Sequence, residues 1–209
     1  MRESHFSRRT PRLELSPLSH RDVDDLFRIY GDPATWVHLP EGRYTRREQA
    51  VRQVERAQDG HREQGLGMWA LRVARGAGTA DLPAGTFIGS GGVQFLAEGG
   101  VLNLGYRLSP VAWGRGFATE VAMAGLNAAA EIVPEIPVTA RVLTNNPASV
   151  TVLEKVGLGL IWEGVGGLGG EAPEAAKANV SGEGRSPLRR IYSDRALTPS
   201  AFSWLVANA

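Results

Sequence analysis

The segment 117–132 constrains the fold more than any other part of this chain, because apolar residues surround most of a predicted helix. Phe117, Val121 and Ala124 recur at helical spacing, and further alanines beside them widen the apolar face. A helix with so broad an apolar face must pack along a sheet. Patterns typical of strands occur at 101–108, 138–142 and 158–162, and a second helix is predicted at 146–156. This alternation of strands and helices requires at least one parallel crossover.

The first half of the chain has the pattern of a strand and two helices followed by an antiparallel meander. Capping signals at 19–22 and 45–48 open the two helices, and the turn 98–100 predicts a hairpin. The other predicted strands are 12–18, 68–73, 87–95 and 189–197, and a short closing helix begins at Thr198. The elements together predict a mixed α/β fold (α+β in some schemes).

Composition excludes several classes of protein. The chain has 209 residues and no cysteine, which excludes a disulfide scaffold, a cysteine-ligated zinc or iron–sulfur centre and thiol catalysis. Its 23 Lys and Arg residues nearly balance 22 Asp and Glu residues, so no net field attracts nucleic acid or an anionic membrane. No apolar run approaches the length of a membrane-spanning helix. We therefore expect a cytoplasmic protein that binds neither nucleic acid nor membrane.

Two segments lack any periodic pattern. Residues 1–11 are polar and rich in arginine, and we expect them to form a loose N-terminus. Residues 164–187 are rich in glycine and longer than an ordinary connection, so we expect a loop insert or lid there. The sequence thus predicts a single domain over 12–209 that carries this insert.

The loop before the alanine-rich helix has the residues of a diphosphate cradle. Backbone N–H groups at a helix start are unpaired and carry partial positive charge, which suits phosphate oxygens. Gly114 and Gly116 let the backbone approach an anion closely, and Arg115 adds a charge. A P-loop is excluded because no Gly-Lys-Ser/Thr is present, and a dinucleotide fingerprint is excluded because it needs a small residue where Thr119 stands. The two glycines would also suit a plain strand-to-helix turn.

Five stretches follow one another in an order that is typical of one family. They are Arg-Leu-Glu-Leu at 12–15, Gly-Thr-Phe-Ile-Gly-Ser-Gly-Gly at 85–92, Leu-Gly-Tyr-Arg-Leu-Ser-Pro at 104–110, Trp-Gly-Arg-Gly-Phe-Ala-Thr-Glu at 113–120 and Asn-Pro-Ala-Ser-Val-Thr-Val-Leu-Glu-Lys-Val-Gly at 146–157. With them the chain resembles the GCN5-related N-acetyltransferase (GNAT) superfamily. Within it, the chain is similar to the RimJ/RimL-like branch, which includes N-terminal acetyltransferases of ribosomal proteins.

The resemblance implies a GNAT fold, in which helices flank a mixed, mostly antiparallel, twisted sheet of about seven strands. Strands 101–108 and 138–143 would splay apart, and the pantetheine arm of acetyl-CoA would lie between them. The pyrophosphate would bind backbone amides of 114–119, and no metal is implied. The implied acetyl-CoA contacts are Leu108, Trp113, Gly114, Arg115, Gly116, Phe117, Ala118, Thr119, Asn146 and Ser149.

The chain departs from the family pattern at three positions. Trp113 replaces the first Gln or Arg of the phosphate loop, which is usual in this branch. Leu153 stands where many members have the tyrosine that protonates the leaving thiolate, and the resemblance transfers that role to Ser149. Asn103 stands where many members carry a glutamate. The sequence therefore contains only some of the catalytic residues that are typical of the family.

The sequence leaves the general base unassigned. An amine with a pKa near ~10 is mostly protonated at neutral pH, so a base or an ordered water relay is expected. The available candidates are Glu98, Glu41 and His38, from loops expected to face the acceptor. His38 also suits a plain surface loop, Ser149 a solvated hydroxyl and Asn146 an N-cap.

The resemblance implies acetyl transfer from acetyl-CoA to an amine by direct attack. The leading acceptor is a protein or peptide N-terminus, and a small-molecule amine (drug or metabolite) is the alternative of the same class. A non-catalytic acyl-CoA-binding sensor stays open, because the strand glutamate and the acid tyrosine are both absent. The oligomeric state also stays open, with a homodimer among the options.

Overall fold

The computed structural model describes residues 6–165 and 188–209. Within these ranges one sheet has the strand order β1-β2-β3-β4-β5-β6-β8-β7. The strands are β1 (Arg8–Arg9), β2 (Leu13–Pro17), β3 (Met68–Val73), β4 (Phe87–Leu96), β5 (Val101–Leu108), β6 (Val138–Leu143), β7 (Gly159–Val165) and β8 (Leu188–Ser193). The helices are α1 (Val23–Tyr30), α2 (Arg47–Gln64), α3 (Phe117–Ile132), α4 (Pro147–Lys155) and α5 (Pro199–Ala207).

The mixed sheet and its parallel crossover are confirmed. All neighbouring strands pair antiparallel except β5 and β6, which are parallel and joined through α3. Eight strands are present where about seven were expected. The additional strand is β1, which pairs with Glu14 and Leu15 and lies within the terminus that we expected to be loose. Part of that terminus is therefore ordered by the edge of the sheet.

The last two strands differ from their predicted bounds. β7 extends to Val165, and Gly164 and Val165 pair with β8, so the first two residues of the expected insert 164–187 are strand. The remainder of that insert, 166–187, lies outside the described residues. β8 ends at Ser193 and not at 197, because its partner β6 begins only at Val138 and leaves no strand for further pairing.

Helices cover both faces of the sheet. Alternate residues of β3 divide between the two faces, since Trp69 and Leu71 pack with the α3 and α4 side while Met68 and Ala70 pack with the α1 and α2 side. The broad apolar face of α3 is buried as expected. Its approach to the sheet is close, because a Cβ atom on Gly125 would lie 3.2 Å from Leu104 Cδ1. This packing sets α3 beneath β4 and β5.

A smaller third hydrophobic cluster packs the C-terminal helix α5 against the sheet. Val101 of β5 and Ile191 of β8 pack against Leu205 of α5. Among the described residues, no helix has both the length and the apolar content needed to cross a bilayer.

Candidate functional site

The strands β5 and β6 separate along most of their length. They pair only at Leu102–Val138 and Asn103–Thr139, where Thr139 Oγ1 also donates to the Leu102 carbonyl at 2.8 Å. β5 continues to Leu108, yet its ladder with β6 stops at Asn103. Beyond that point β6 pairs on its other side with β8. The result is a wedge, defined here as the gap between β5 after Asn103 and β6 after Thr139, in which one backbone edge of β5 has no strand partner among the described residues.

A tight loop, 109–116, follows β5 at the open end of this wedge. Ser109 N donates to the Ile88 carbonyl at 2.8 Å, and Trp113 Nε1 donates to the Leu108 carbonyl at 2.9 Å. These bonds tie the loop to β4 and β5. The Trp113 side chain remains half exposed.

Both loop glycines have backbone conformations that favour glycine. Gly114 has φ 71° and Gly116 has φ 78°. A Cβ on Gly114 would meet no atom within 4 Å, and one on Gly116 would meet only Arg12 Nη2, at 3.4 Å. The described protein therefore leaves open space on the side where a Gly114 side chain would project, whereas a Gly116 side chain would project toward Arg12. A ligand is able to approach the loop backbone there.

The N-terminus of α3 faces that space without a side-chain cap. Gly116 is the N-cap residue, and no side chain in the described part of the chain bonds to the first-turn N–H groups. The N–H groups of Phe117, Ala118 and Thr119 have no acceptor within the helix, because the first turn lacks preceding carbonyls. Together they carry the partial positive charge of the helix N-terminus. This end of the wedge is thus suited to an anion.

A network that sequence reasoning missed orients the loop from behind. Arg12 Nη1 donates to the Arg115 carbonyl at 2.7 Å, and its guanidinium lies 4.7 Å from the Phe117 ring centroid. Glu120 accepts from Arg12 N at 2.8 Å and from Arg12 Nε at 2.7 Å. Thr10 Oγ1 adds a bond to Glu120 at 2.5 Å. Arg12 begins one of the five family stretches and Glu120 ends another, and their shared membership in the motif set is the signal by which the pair could have been found.

The side chain of Arg115 does not extend over the first turn of α3. It forms an ion pair with Asp81, and its Nη1 lies 3.4 Å from Thr79 Oγ1. Hydrogen bonds from Thr79 and then Arg115 lower the pKa of Asp81. A phosphate contact from the Arg115 side chain therefore stays a prediction.

The start of α4 lies across the wedge from β5. Asn146 is its N-cap, and the Asn146 Oδ1 atom accepts from Ser149 N at 3.2 Å, so the capping interpretation of Asn146 holds and its amide nitrogen remains a donor. The Ser149 carbonyl accepts from the Tyr106 hydroxyl at 3.5 Å. Burial raises the pKa of Tyr106 to about 12, so this phenol stays protonated. Leu153, at the family's tyrosine position, is buried in the core.

The three candidate bases lie in different places. The His38 carbonyl accepts from Asn145 Nδ2 at 3.3 Å, which joins the α1–α2 loop to the residue before the cap of α4. Glu41 is exposed on the turn Pro40–Gly42 of the same loop. Glu98 accepts from Trp204 Nε1 at 3.4 Å, in the hairpin before β5 and against α5. Only His38 is brought beside the wedge by a contact of this kind.

The electrostatic surroundings of His38 keep its ring neutral. Burial, and then the charge of Arg107, lower its pKa below the usual 6.5. Arg107 lies on β5 and projects to the α1 and α2 side, where its guanidinium carbon is 3.3 Å from the Trp36 ring centroid. Its Nη1 donates to the Thr35 carbonyl. Asn103, at the family's glutamate position, pairs with β6 at the closed end of the wedge.

Comparison with known proteins agrees with this geometry. The family model for the acetyltransferase (GNAT) domain matches residues 12–159, which include the wedge, the loop and α4. Within the described ranges, no group of three or more His, Cys, Asp or Glu side chains is arranged to hold a metal ion.

Solved structures share the fold at low identity. An acetyltransferase from Agrobacterium tumefaciens matches with a TM-score of 0.63 at 21% identity, over 89% of this chain and 93% of that one. RimL, a ribosomal L7/L12 alpha-N-protein acetyltransferase in complex with coenzyme A, matches with 0.64 at 15%, over 88% and 94%. A spermidine N-acetyltransferase chimera, in part from Vibrio cholerae, matches with 0.60 at 15%, over 86% and 93%.

Proposed function

The chain belongs to the GNAT acetyltransferase family, and from this premise we propose that it transfers the acetyl group of acetyl-CoA to a primary amine. The observation that carries the proposal is the wedge between β5 and β6, with the uncapped N-terminus of α3 at its open end. An extended arm with amide groups suits the unpaired edge of β5, and a diphosphate suits the donors of α3. The residues present therefore fit the co-substrate.

The proposed binding residues form two groups. The loop and the first turn of α3 would hold the diphosphate through backbone N–H groups, while β5 and the start of α4 would hold the arm. The full set is Leu108, Trp113, Gly114, Arg115, Gly116, Phe117, Ala118, Thr119, Asn146 and Ser149. No metal takes part in this proposal.

Bound acetyl-CoA supplies a thioester, whose carbon–sulfur bond breaks as the amine nitrogen bonds to the acetyl carbon. The chain's residues would position the reactants and move two protons. We assign His38 as the acceptor of the amine proton, because its ring is neutral at pH 7 and its loop contacts Asn145. The Ser149 hydroxyl would donate to the departing sulfur, since it stands in the first turn of α4. Holding both reactants at attack distance would supply much of the rate.

We propose a protein or peptide N-terminus as the acceptor, which places the chain in the RimJ/RimL-like branch. The support is the similarity to RimL, whose acceptor is an N-terminus of a ribosomal protein. A small amine is the second candidate, supported by the similarity to the spermidine N-acetyltransferase chimera. A non-catalytic acyl-CoA sensor is favoured by one observation, namely that Leu153 is buried where the acid tyrosine is expected.

Thiol release and thermal stability together test the proposal. We expect coenzyme A, and not NAD(H), to raise the melting temperature, and some amine in a panel of peptides and small amines to release thiol from acetyl-CoA. Gly116→Asp should abolish the stabilisation, because a side chain is strained at φ 78° and would displace the loop amides that are proposed to bind the phosphates. Ser149→Ala should keep the stabilisation and lower kcat about tenfold or more.

Gly100→Asp is the matched control for the glycine variant. Gly100 also has a positive φ and open space around it, but it lies in the hairpin before β5. Tight binding of coenzyme A without thiol release from any acceptor would favour the sensor. Wild-type affinity of Gly116→Asp for coenzyme A would refute the loop assignment.

A further inference from the structure

Arg107 is a partly buried cation that no carboxylate of the described residues pairs with. Its neighbours Tyr106 and Leu108 pack on the α3 side of the sheet, so Arg107 projects to the opposite face, toward α1 and α2. There its guanidinium stacks on Trp36, with a second ring, Tyr30, at 5.5 Å. One hydrogen bond, from Nη1 to the Thr35 carbonyl, is formed.

Stacking leaves the donors of a guanidinium available at its edge. The group has five N–H donors in one plane, and a ring packed on its face does not use them. Only the bond to the Thr35 carbonyl takes one of them within the described structure. The remaining donors suit the two oxygens of a carboxylate, which the guanidinium binds side by side.

Among the described residues, the other titratable groups that act on Arg107 and its neighbours are neutral or positive. Burial and then Tyr30 raise the pKa of Tyr44, and the positive charges that act on Tyr44 are Arg107 and, from α2, Arg56 and Arg52. His38 is neutral, since burial and Arg107 lower its pKa. Burial also lowers the pKa of Arg107, and phenols but no carboxylates oppose that shift. A cation in such surroundings is stabilised by an anion that arrives with a ligand.

The position of Arg107 relates it to the proposed acceptor amine. Gly105 and Arg107 lie on the same face of β5, roughly 7 Å apart along the strand. The same face carries the α1–α2 loop with His38, which contacts Asn145 beside the wedge. One acceptor molecule would therefore be able to place its amine at the wedge and an anionic group at Arg107, provided that several bonds separate the two groups.

We propose that Arg107 selects amine acceptors that carry a carboxylate a few bonds from the amine. This inference rests on the proposed function and specifies its substrate class. An acidic side chain at the first or second position of a peptide meets the description, and so does a free dicarboxylic amino acid. Polyamines and other polycations are disfavoured, because the described surroundings of Arg107 offer them cations and no carboxylate.

Matched acceptors that differ only in charge test the proposal. One pair is a short peptide with Glu or Gln at its second position, and the other is free glutamate and glutamine. We expect kcat/KM to be about tenfold or more higher for the acidic member of at least one pair, as a charged hydrogen bond implies. The pair that shows the preference identifies the source of the carboxylate. A wild-type enzyme that prefers the neutral members would overturn the proposal.

Variants separate recognition from support of the fold. Arg107→Gln should bring the ratio of acidic to neutral kcat/KM close to one, while Arg107→Lys keeps part of the preference because it keeps the charge. Arg28→Gln is the control, since Arg28 pairs with Asp25 on the surface of α1. Equal losses by Arg107→Gln on both members would show a structural role and refute selection.

Binding provides a second readout that does not depend on turnover. The same peptides are titrated into the wild-type protein saturated with coenzyme A. Absence of thiol release with every acceptor refutes the enzyme, whereas tighter binding of the acidic peptide, lost in Arg107→Gln, still supports carboxylate recognition. Equal binding of both peptides refutes it.

Discussion

Two titratable side chains at the wedge, Tyr106 and His38, have pKa values that their surroundings shift in opposite directions. Tyr106 is held neutral by burial, with a pKa of about 12, and its hydroxyl is committed to the Ser149 carbonyl. His38 is held neutral from the other direction, because burial and the charge of Arg107 both disfavour its imidazolium form. At pH 7 one group is therefore able to donate and the other to accept a proton. Burial moves both pKa values further from pH 7 and so reinforces these states.

His38→Gln tests the base at the residue scale. Because the pKa of His38 is lowered, its neutral form predominates at pH 7 and is lost as the pH falls below 6.5. We expect the wild-type kcat/KM to show a loss in this range that adds to the protonation of the amine. The variant should lack that additional loss and be about a hundredfold slower at pH 7.5.

The measurement is thiol release from pH 5 to 9 with one amine. His20→Gln serves as the control, since His20 is exposed on the turn before α1. An unchanged rate and an unchanged acidic limb in His38→Gln would remove His38 from the mechanism.

At the scale of elements, the site depends on how β2 and α3 are connected. Arg12, just before β2, contacts both the Arg115 carbonyl and Glu120 in the first turn of α3. The Glu120 side chain is only 12% exposed, so the carboxylate is shielded from water, while the Arg12 side chain is 43% exposed. With the Arg115 carbonyl held toward Arg12, the turn that follows is kept in one orientation. The loop is thus preorganised by an interaction between two residues that lie 103 positions apart in the chain.

Glu120→Gln tests this connection. The substitution keeps the shape of the side chain but loses its charge, so the bonds to Arg12 weaken. We expect the Kd for coenzyme A to rise about tenfold, because the loop amides would no longer be preorganised. Isothermal titration calorimetry measures the change.

Glu131→Gln is the matched control on the same helix. Glu131 pairs with Arg8, and its side chain is 60% exposed, so little change in affinity is expected. Equal affinities of the two variants for coenzyme A would contradict a role of the Arg12–Glu120 pair in the loop.

For the whole molecule, the two helical layers leave one buried histidine between α2 and the sheet. His61 lies 5.5 Å from the Phe6 ring and 6.2 Å from the Trp69 ring, and its Nδ1 has no hydrogen-bond partner within the described structure. Burial is the main cause that lowers the pKa of His61. A proton added to this ring would place a charge in the core, and the backbone contacts with Met68 and Gly65 only partly offset that cost. Folding therefore favours the neutral form.

His61→Phe tests the consequence for stability. Since the folded pKa is below the unfolded value of 6.5, the unfolded chain binds more protons at acidic pH. The free energy of unfolding should be unaffected by His61 above pH 6.5 and should fall as the pH drops below it. We expect the variant to lose less stability than the wild type between pH 7 and 5 in urea denaturation. A slope equal to that of wild type would contradict this assignment.

The sequence by itself predicted the parts of this protein that depend on local spacing. The helix α3, the glycine loop before it, the hairpin between β4 and β5 and the cap at Asn146 all follow from residues within a few positions of one another. The proposal that this loop binds a diphosphate rests on the same local pattern. Such patterns report the periodicity of one element and the conformational preferences of its ends.

The tertiary structure alone decided which distant residues meet. The bond between His38 and Asn145, the contact of Arg12 with Arg115 and the stacking of Arg107 on Trp36 each join segments far apart in the chain. The point at which β5 and β6 part was also undecided, since strand patterns do not specify pairing. A residue's spacing determines its element and face, whereas its partner depends on how the layers pack.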